Sequence, residues 1–222
     1  MALHKSWCWA GAFGPDMMLC VAAARVGPLR RSWWAVWDGA LREGTRGVSV
    51  SASGAVVPGA LALTFERGRS VEVTTGPAWT RKTPLRVTGT VGARTIDLPG
   101  LLDESAGRHA RRTAWRWAAG AGTAASGAAV VWNLVAGLHD GAVSERTVWV
   151  DGEPHPVGPL PFHGLDGVGE LAFTAVATRA KRENYLVLAS DYEQPFGAFS
   201  GSLPVAGAVR GHGVMERHEA LW

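Results

Sequence analysis

The chain has 222 residues, of which 47% are hydrophobic and 18% charged, a balance typical of a globular protein rather than a disordered one. The formal net charge of +3 does not indicate nucleic-acid binding, because the basic residues are mostly scattered arginines mixed with acids. The best apolar run, residues 17–24, is far shorter than the roughly 20 residues of a membrane-spanning helix.

The N-terminal segment bears on compartment and redox state. Cys8 and Cys20 form no CxxC pair, so they indicate no zinc site. The apolar start is interrupted by Gly14-Pro15-Asp16, which is unlike a secretory signal peptide. We therefore expect a cytoplasmic protein with reduced thiols.

Turn signals recur along the whole chain, and the segments between them are short and rich in Val, Trp, Thr and Leu. This pattern predicts an antiparallel all-β protein. The predicted strands are 32–37, 48–50, 60–66, 70–75, 85–91, 113–119, 128–138, 146–150, 171–177, 185–190 and 211–217. A helical turn is expected at 101–105, and the final residues, VMERHEALW, fit a helix or a strand. A loop over about 95–110 divides the chain into halves 1–100 and 101–222.

The stretch HARRTAWRWAAGAG places two tryptophans two residues apart. In a strand, successive side chains alternate between faces, so Trp115 and Trp117 share a face and Arg116 lies on the other. The next predicted strand has a semi-polar face, with Asn133 and His139, and an apolar face. A barrel or curved sheet with one packed side and one cavity side fits this arrangement, although an ordinary core strand with a solvated outer face would also produce it.

An aromatic surface with a few polar groups is typical of a small-molecule site. The side chains predicted to bind the ligand are Trp115, Arg116, Trp117, Asn133, His139, Tyr192, Glu193 and His218.

Several motifs carry a family resemblance. In chain order TAWRWAAGAG, SERTVWVDGEPHPVG, DYEQPFGAFSGSLP and GVMERHEALW resemble a bacterial family, domain of unknown function 2804. The early HKSWCWAGAFGPDMMLCVA is similar to that family's K-x-W-x-W strand. By fold pattern the family is similar to the two-domain calycin-like group, which includes tocopherol cyclase and hydroxyneurosporene synthase.

This resemblance implies two lipocalin-like barrels or curved sheets packed side by side. Family members are usually longer at the N-terminus. The resemblance therefore leaves two expectations open for the first barrel, a closed barrel or an incomplete one. The resemblance also implies an apolar ligand, such as an isoprenoid, lipid or polyketide, and cofactor-free hydration, isomerisation or cyclisation. It carries over no catalytic residue, because the family has no assigned reaction and a shared fold does not fix function.

Chemistry on an alkene without a cofactor needs a protonated acid in a dry pocket, beside aromatic faces that stabilise a carbocation. Glu104 and His109 lead into the tryptophan strand, and Glu216 shares a face with His218 if that segment is extended. These three, Glu104, His109 and Glu216, are the predicted catalytic residues. The seven histidines show no metal-binding spacing and no glycine-rich loop fits a phosphate, so we expect neither metal nor cofactor.

Two other functions fit the same pattern. A non-catalytic lipid carrier or sensor predicts a cavity lined only by apolar groups, and a carbohydrate-binding β-sandwich predicts coplanar tryptophans on a flat exposed surface. An enzyme predicts a buried carboxylate or histidine facing the cavity. Trp33, Trp34 and Trp37 fit a plain core strand or a patch for peripheral contact with a membrane or a partner.

Overall fold

A computed structural model describes residues 3–138, 141, 143–184 and 189–221. Within these ranges the chain forms strands and turns without a helix, arranged as two antiparallel sheets. The prediction of an antiparallel all-β protein with two curved sheets is therefore confirmed. Predicted strand 185–190 lies mostly outside the described residues, and so does His139.

The first sheet is a curled half-barrel of ten strands, ordered β4-β3-β2-β1-β10-β9-β7-β6-β5, with β8 also paired to β9. Its strands are β1 His4–Phe13, β2 Met18–Val26, β3 Leu29–Trp37, β4 Leu41–Gly44, β5 Ser49–Ser51, β6 Gly54–Val57, β7 Leu61–Arg67, β8 Val71–Thr75, β9 Ala78–Val91 and β10 Arg94–Arg108.

The second sheet has eight strands in the order β14-β13-β12-β11-β18-β17-β16-β15. They are β11 Arg112–Ala124, β12 Ala129–Ala136, β13 Thr147–Val150, β14 Glu153–Pro156, β15 Gly167–Val168, β16 Glu170–Asn184, β17 Ala189–Leu203 and β18 Gly207–Leu221.

The region between the two halves differs from the prediction. The loop expected over 95–110 and the helical turn at 101–105 are wrong, because strand β10 runs through both and pairs with β1 and β9. The glycines of this segment are typical of a loop, but in β10 they allow a neighbouring strand to approach closely. A Cβ atom at Gly100 would lie 2.1 Å from the carbonyl oxygen of Gly11 on β1. The chain passes from one sheet to the other between Arg108 and Arg112.

Apolar side chains form three clusters, one inside each sheet and one between the sheets. The shared cluster contains Trp9, Phe13 and Leu101 from the first sheet and Trp117 and Phe196 from the second. Neighbouring residues on the same strands point the other way into each sheet's own core, because side chains alternate along a strand. The first sheet is thereby joined to the second by a continuous apolar interface.

The predicted faces of the tryptophan strand are confirmed. Trp117 packs in the shared cluster, with Trp115 against it, whereas Trp132 of the neighbouring strand lies in the second sheet's own core. Trp132 fits there because glycines leave room for its ring; a Cβ at Gly120 would lie 2.3 Å from its Cζ2 atom. The semi-polar face of β11 and β12 therefore meets the first sheet.

Candidate functional site

A cavity of about 430 Å³ lies between the two sheets, next to the shared apolar cluster. Much of its wall is built by alternate residues of strands from both sheets. They are Lys5, Trp7 and Trp9 on β1, Arg31 and Trp33 on β3, Lys82 on β9, Asp103 on β10, Trp115 and Trp117 on β11, Arg179, Lys181 and Glu183 on β16, Ser190 and Tyr192 on β17, and Glu216 and His218 on β18.

The wall changes character with depth. At the open end the side chains of Arg31 and Lys181 are 60% and 46% exposed. One step inward along the same strands come Trp33 and Arg179, and the deepest groups include Glu216, which is 6% exposed. We call these levels the mouth, the waist and the floor of the cavity.

Glu216 lies on the floor, where both of its carboxyl oxygens accept hydrogen bonds from uncharged donors. The indole Nε1 of Trp115 donates to one carboxyl oxygen at 2.7 Å, and Nε2 of Gln194 donates to the other at 2.8 Å. Burial raises the pKa of Glu216 to about 7, the nearby Asp103 adds to the rise, and the hydrogen bonds from Trp115 and Gln194 oppose it. This carboxyl group therefore changes protonation state close to neutral pH.

His218 stands beside Glu216 at the waist. Its ring centroid lies 4.3 Å from that of Trp115 and 5.3 Å from that of Tyr192, and its Nε2 is 2.8 Å from the hydroxyl of Ser190. Burial lowers the pKa of His218 to about 4, although Asp191 opposes the shift. At neutral pH the ring is therefore uncharged.

The floor also contains a buried triad of ionisable side chains, formed by Lys82, Asp103 and Glu145. Lys82 lies directly opposite Asp103 across β9 and β10 and forms an ion pair with it, and its Nζ is 3.1 Å from a carboxyl oxygen of Glu145. Trp7 Nε1 also donates to Asp103, at 3.2 Å. Burial lowers the pKa of Lys82, but the two carboxylates outweigh it and hold that pKa above its usual range.

A buried guanidinium forms part of the waist. Arg179 is 7% exposed, and its Cζ atom lies 5.4 Å from the ring centroid of Trp33 and 5.1 Å from that of Tyr192. Its Nε is 3.0 Å from a carboxyl oxygen of Glu43 on β4. This contact and the Arg31–Glu183 pair at 3.8 Å link the two sheets beside the mouth.

The structure brings several predicted site residues together at this cavity. Trp115, Trp117, Tyr192, Glu216 and His218 all contribute to its wall. Asn133 lies directly behind, where its Oδ1 accepts a hydrogen bond from Trp117 Nε1 at 2.7 Å.

Other predicted residues lie elsewhere. Glu104 is on the opposite face of β10 from Asp103 and pairs with Arg81 at 2.8 Å. Glu193 lies 3.4 Å from Arg217, Arg116 is exposed, and His109 packs against Trp7 with ring centroids 5.2 Å apart. None of these four lines the cavity.

The predicted site residues do not include Lys82, Asp103, Arg179 or Gln194, although Asp103 belongs to the carboxyl groups that the sequence places near aromatic residues. Lys82 and Asp103 escaped because β10 was predicted as a loop, which hid their cross-strand register. An available signal was the alternation Lys5, Trp7, Trp9 in the first strand, which matches the alternation of Trp115 and Trp117. Of the three tryptophans predicted as a core strand or an outer patch, Trp33 lines the cavity, and Trp34 and Trp37 pack against the cores.

Two negative observations apply to the described part of the chain. It contains no group of three histidine, cysteine, aspartate or glutamate residues placed to hold a metal ion. It also contains no helix that is long and apolar enough to cross a membrane.

These features define a class: an all-β protein of two packed sheets with an ionisable, aromatic cavity between them. The sequence model of the family "Domain of unknown function (DUF2804)" matches residues 79–222, from the start of β9 to the end of the chain. The chain belongs to this family. No curated protein sequence matches it.

Three solved structures are similar to this chain to different degrees. The crystal structure of CghA with Sch210972 is 10% identical and has a TM-score of 0.51, with 99% of this chain and 88% of that one covered. A protein assigned as AttH from Nitrosomonas europaea is 12% identical, with a TM-score of 0.48 and 96% and 92% covered. Kievitone hydratase from Nectria haematococca is 13% identical, with a TM-score of 0.46 and 96% and 88% covered. The likeness to CghA shows a common, calycin-like fold.

Proposed function

We propose that this protein is a cofactor-free enzyme that binds a largely apolar small molecule between its sheets and transforms it with Glu216 as the proton donor. The substrate class is an alkene, and the reaction is hydration, isomerisation or ring closure. The chain shares its fold with CghA, whose structure was solved with Sch210972, and this agrees with ligand binding by such a fold.

The observation that carries the proposal is a buried carboxyl group with a pKa of about 7 in a tryptophan-lined cavity. A general acid works best when its pKa lies near the working pH, because it is then both sufficiently protonated and able to release its proton. Burial in an apolar pocket achieves this for a carboxyl group without a metal or cofactor.

The first step is proton transfer. The Glu216 proton moves to one carbon of the substrate double bond, the π electron pair forms the new C–H bond, and the other carbon becomes cationic. The carboxylate left behind accepts the hydrogen bonds from Trp115 and Gln194. The faces of the waist tryptophans stabilise the cation through their negative quadrupoles.

The second step restores the acid. In hydration, the oxygen of water attacks the cation while Glu216 takes one of that water's protons. In isomerisation, Glu216 instead removes a proton from a carbon next to the cation, and that C–H pair becomes the new double bond. Neutral His218 adds no further positive charge beside the cationic intermediate, and the guanidinium of Arg179 at the waist lies 3.0 Å from the carboxylate of Glu43.

Specific observations weigh against the alternatives. The cavity of a lipid carrier should be lined by apolar groups alone, but this wall includes Asp103, Glu145 and Glu216. A sugar-binding face should present coplanar exposed tryptophans, but Trp9 and Trp117 are 5% exposed and their rings are inclined by 85°.

A deuterium experiment tests the proposal. The protein is incubated in D₂O with a panel of isoprenoid alcohols and terpene hydrocarbons, and mass spectrometry measures deuterium incorporation and water addition. We expect both to fall by about a hundredfold or more in Glu216→Gln, the typical loss when a general acid is removed. Glu104→Gln is the matched control, because it makes the same change outside the cavity. Equal turnover in wild type and Glu216→Gln would refute the assignment.

A further inference from the structure

The mouth of the cavity is strongly basic. Four exposed cationic side chains line it, and within the part of the chain that the structure describes one carboxylate lines the wall at this level, that of Glu183, which is 22% exposed. The cations are Arg25, Arg30, Arg31 and Lys181. Glu183 is shared, since it lies 3.8 Å from Arg31 and 3.4 Å from Lys181. The mouth therefore carries a net positive charge.

The register of the β2–β3 hairpin reinforces this charge. Arg25 lies directly opposite Arg30, whereas Arg31 is paired with Ala24 and extends from the other face of β3, so the mouth is lined by arginines from both faces of the hairpin. Like charges in directly opposed positions of an antiparallel pair destabilise the sheet. A negatively charged group bound at the mouth would relieve this repulsion.

The floor has the opposite character. Asp103 and Glu145 share the single cation Lys82, and Glu216 adds a further carboxyl group beyond them. A negatively charged ligand group is therefore repelled from the floor and attracted to the mouth, because the one guanidinium of the waist described above, that of Arg179, already lies 3.0 Å from Glu43. The charge distribution thus sets a direction along the cavity.

We propose that the substrate is an anionic amphiphile, whose carboxylate or phosphate group binds Arg30, Arg31 and Lys181 at the mouth while its apolar end extends to Glu216. This proposal rests on the proposed function, because it assigns which end of the substrate meets the acid. It places the reacting double bond away from the charged head, in the apolar tail.

A series of matched ligands tests the head-group preference. Decanoate, decyl phosphate, decanol and decylammonium share one tail, and calorimetry gives their dissociation constants for the full chain at low salt. We expect both anions to bind at least about tenfold more tightly than decanol, and decylammonium to bind most weakly. Preference for one anion over the other identifies the head group as carboxylate or phosphate.

Arg30→Gln/Arg31→Gln tests the location. The double variant should lose the preference for decanoate while its affinity for decanol stays unchanged. The matched control is Arg67→Gln/Arg94→Gln, which removes two exposed arginines of the same sheet outside the cavity wall. Equal binding of decanoate and decanol by wild type, or an unchanged preference in the mouth variant, would overturn the inference. Its failure is distinct from that of the proposed function, which is decided by deuterium transfer in Glu216→Gln.

Discussion

Two buried carboxyl groups on the same cavity floor are held in different ways. Asp103 accepts a hydrogen bond from the indole N–H of Trp7 and forms an ion pair with Lys82. Glu216 accepts one hydrogen bond from the indole N–H of Trp115 and another from the neutral side-chain amide of Gln194. The difference is one ammonium group, which forms an ion pair with Asp103; burial still raises the pKa of Asp103, so the two carboxyl groups differ in their partners rather than in the direction of the shift.

The contact between Lys82 and Glu145 also joins the two sheets. Lys82 and Asp103 belong to the first sheet, whereas Glu145 precedes β13 of the second. We therefore assign the Lys82 triad a mainly structural role and Glu216 a chemical one.

The largest expected effect is that of Lys82→Met on stability. Removing the ammonium leaves two carboxylates buried without their cation, and breaking a buried pair in this way costs about 3–5 kcal/mol of unfolding free energy. Urea denaturation at neutral pH measures the loss. Adding Asp103→Asn and Glu145→Gln should recover much of it, and a loss below about 1 kcal/mol in the single variant would contradict the structural role.

The next effect is the pH dependence of stability that Glu216 confers. Its pKa is about 7 in the folded chain against 4.5 ordinarily, so its contribution is fully present below pH 4.5 and is lost as pH rises to about 7. The loss amounts to roughly 3 kcal/mol, at 1.36 kcal/mol per pKa unit.

Glu216→Gln should therefore gain stability relative to wild type as pH increases. Unfolding free energies of the two proteins at a series of pH values isolate this contribution, because every other ionisable group is shared. A difference that stays flat between pH 4.5 and pH 7 would exclude the raised pKa.

A smaller effect is expected when one hydrogen bond to Glu216 is removed. Trp115→Phe deletes the indole donor that stabilises the carboxylate, so the pKa of Glu216 should rise further above its ordinary value. The midpoint of the same pH-dependent stability difference reports the shift. Trp7→Phe is the matched control, because its indole donates to Asp103, and it should shift that midpoint less.

The smallest effect is expected outside the cavity. Glu193 is 36% exposed and lies 3.4 Å from Arg217, so Glu193→Gln should change the unfolding free energy by about 0–1 kcal/mol. Deuterium transfer should remain at the wild-type level. A large loss of activity in Glu193→Gln would mean that the chemistry is not confined to the cavity.

Strand alternation explains what the sequence predicted correctly. The shared face of Trp115 and Trp117, and that of Glu216 and His218, follow from the two-residue period of a strand. The same rule separates Glu193 from Tyr192, but both were chosen because the sequence does not reveal which face points inward.

The remaining site residues depend on long-range pairing. Lys82 meets Asp103 through the β9–β10 register, and it meets Glu145 only because the sheets pack together. Glu104 was chosen in place of its neighbour Asp103 because β10 was predicted as a loop, where a face cannot be assigned. Similarly, Arg179 becomes a cavity residue only when the two sheets come together, which brings its Nε within 3.0 Å of Glu43 on β4.

The most direct test is to titrate the Glu216 carboxyl itself. Nuclear magnetic resonance of protein with carbon-13-labelled glutamate side chains follows its ionisation, and Glu216→Gln identifies the signal. We expect a midpoint near pH 7 for Glu216. A midpoint near the ordinary glutamate value of 4.5 would contradict it, because Glu216 would then be fully ionised at neutral pH and could not act as the proton donor.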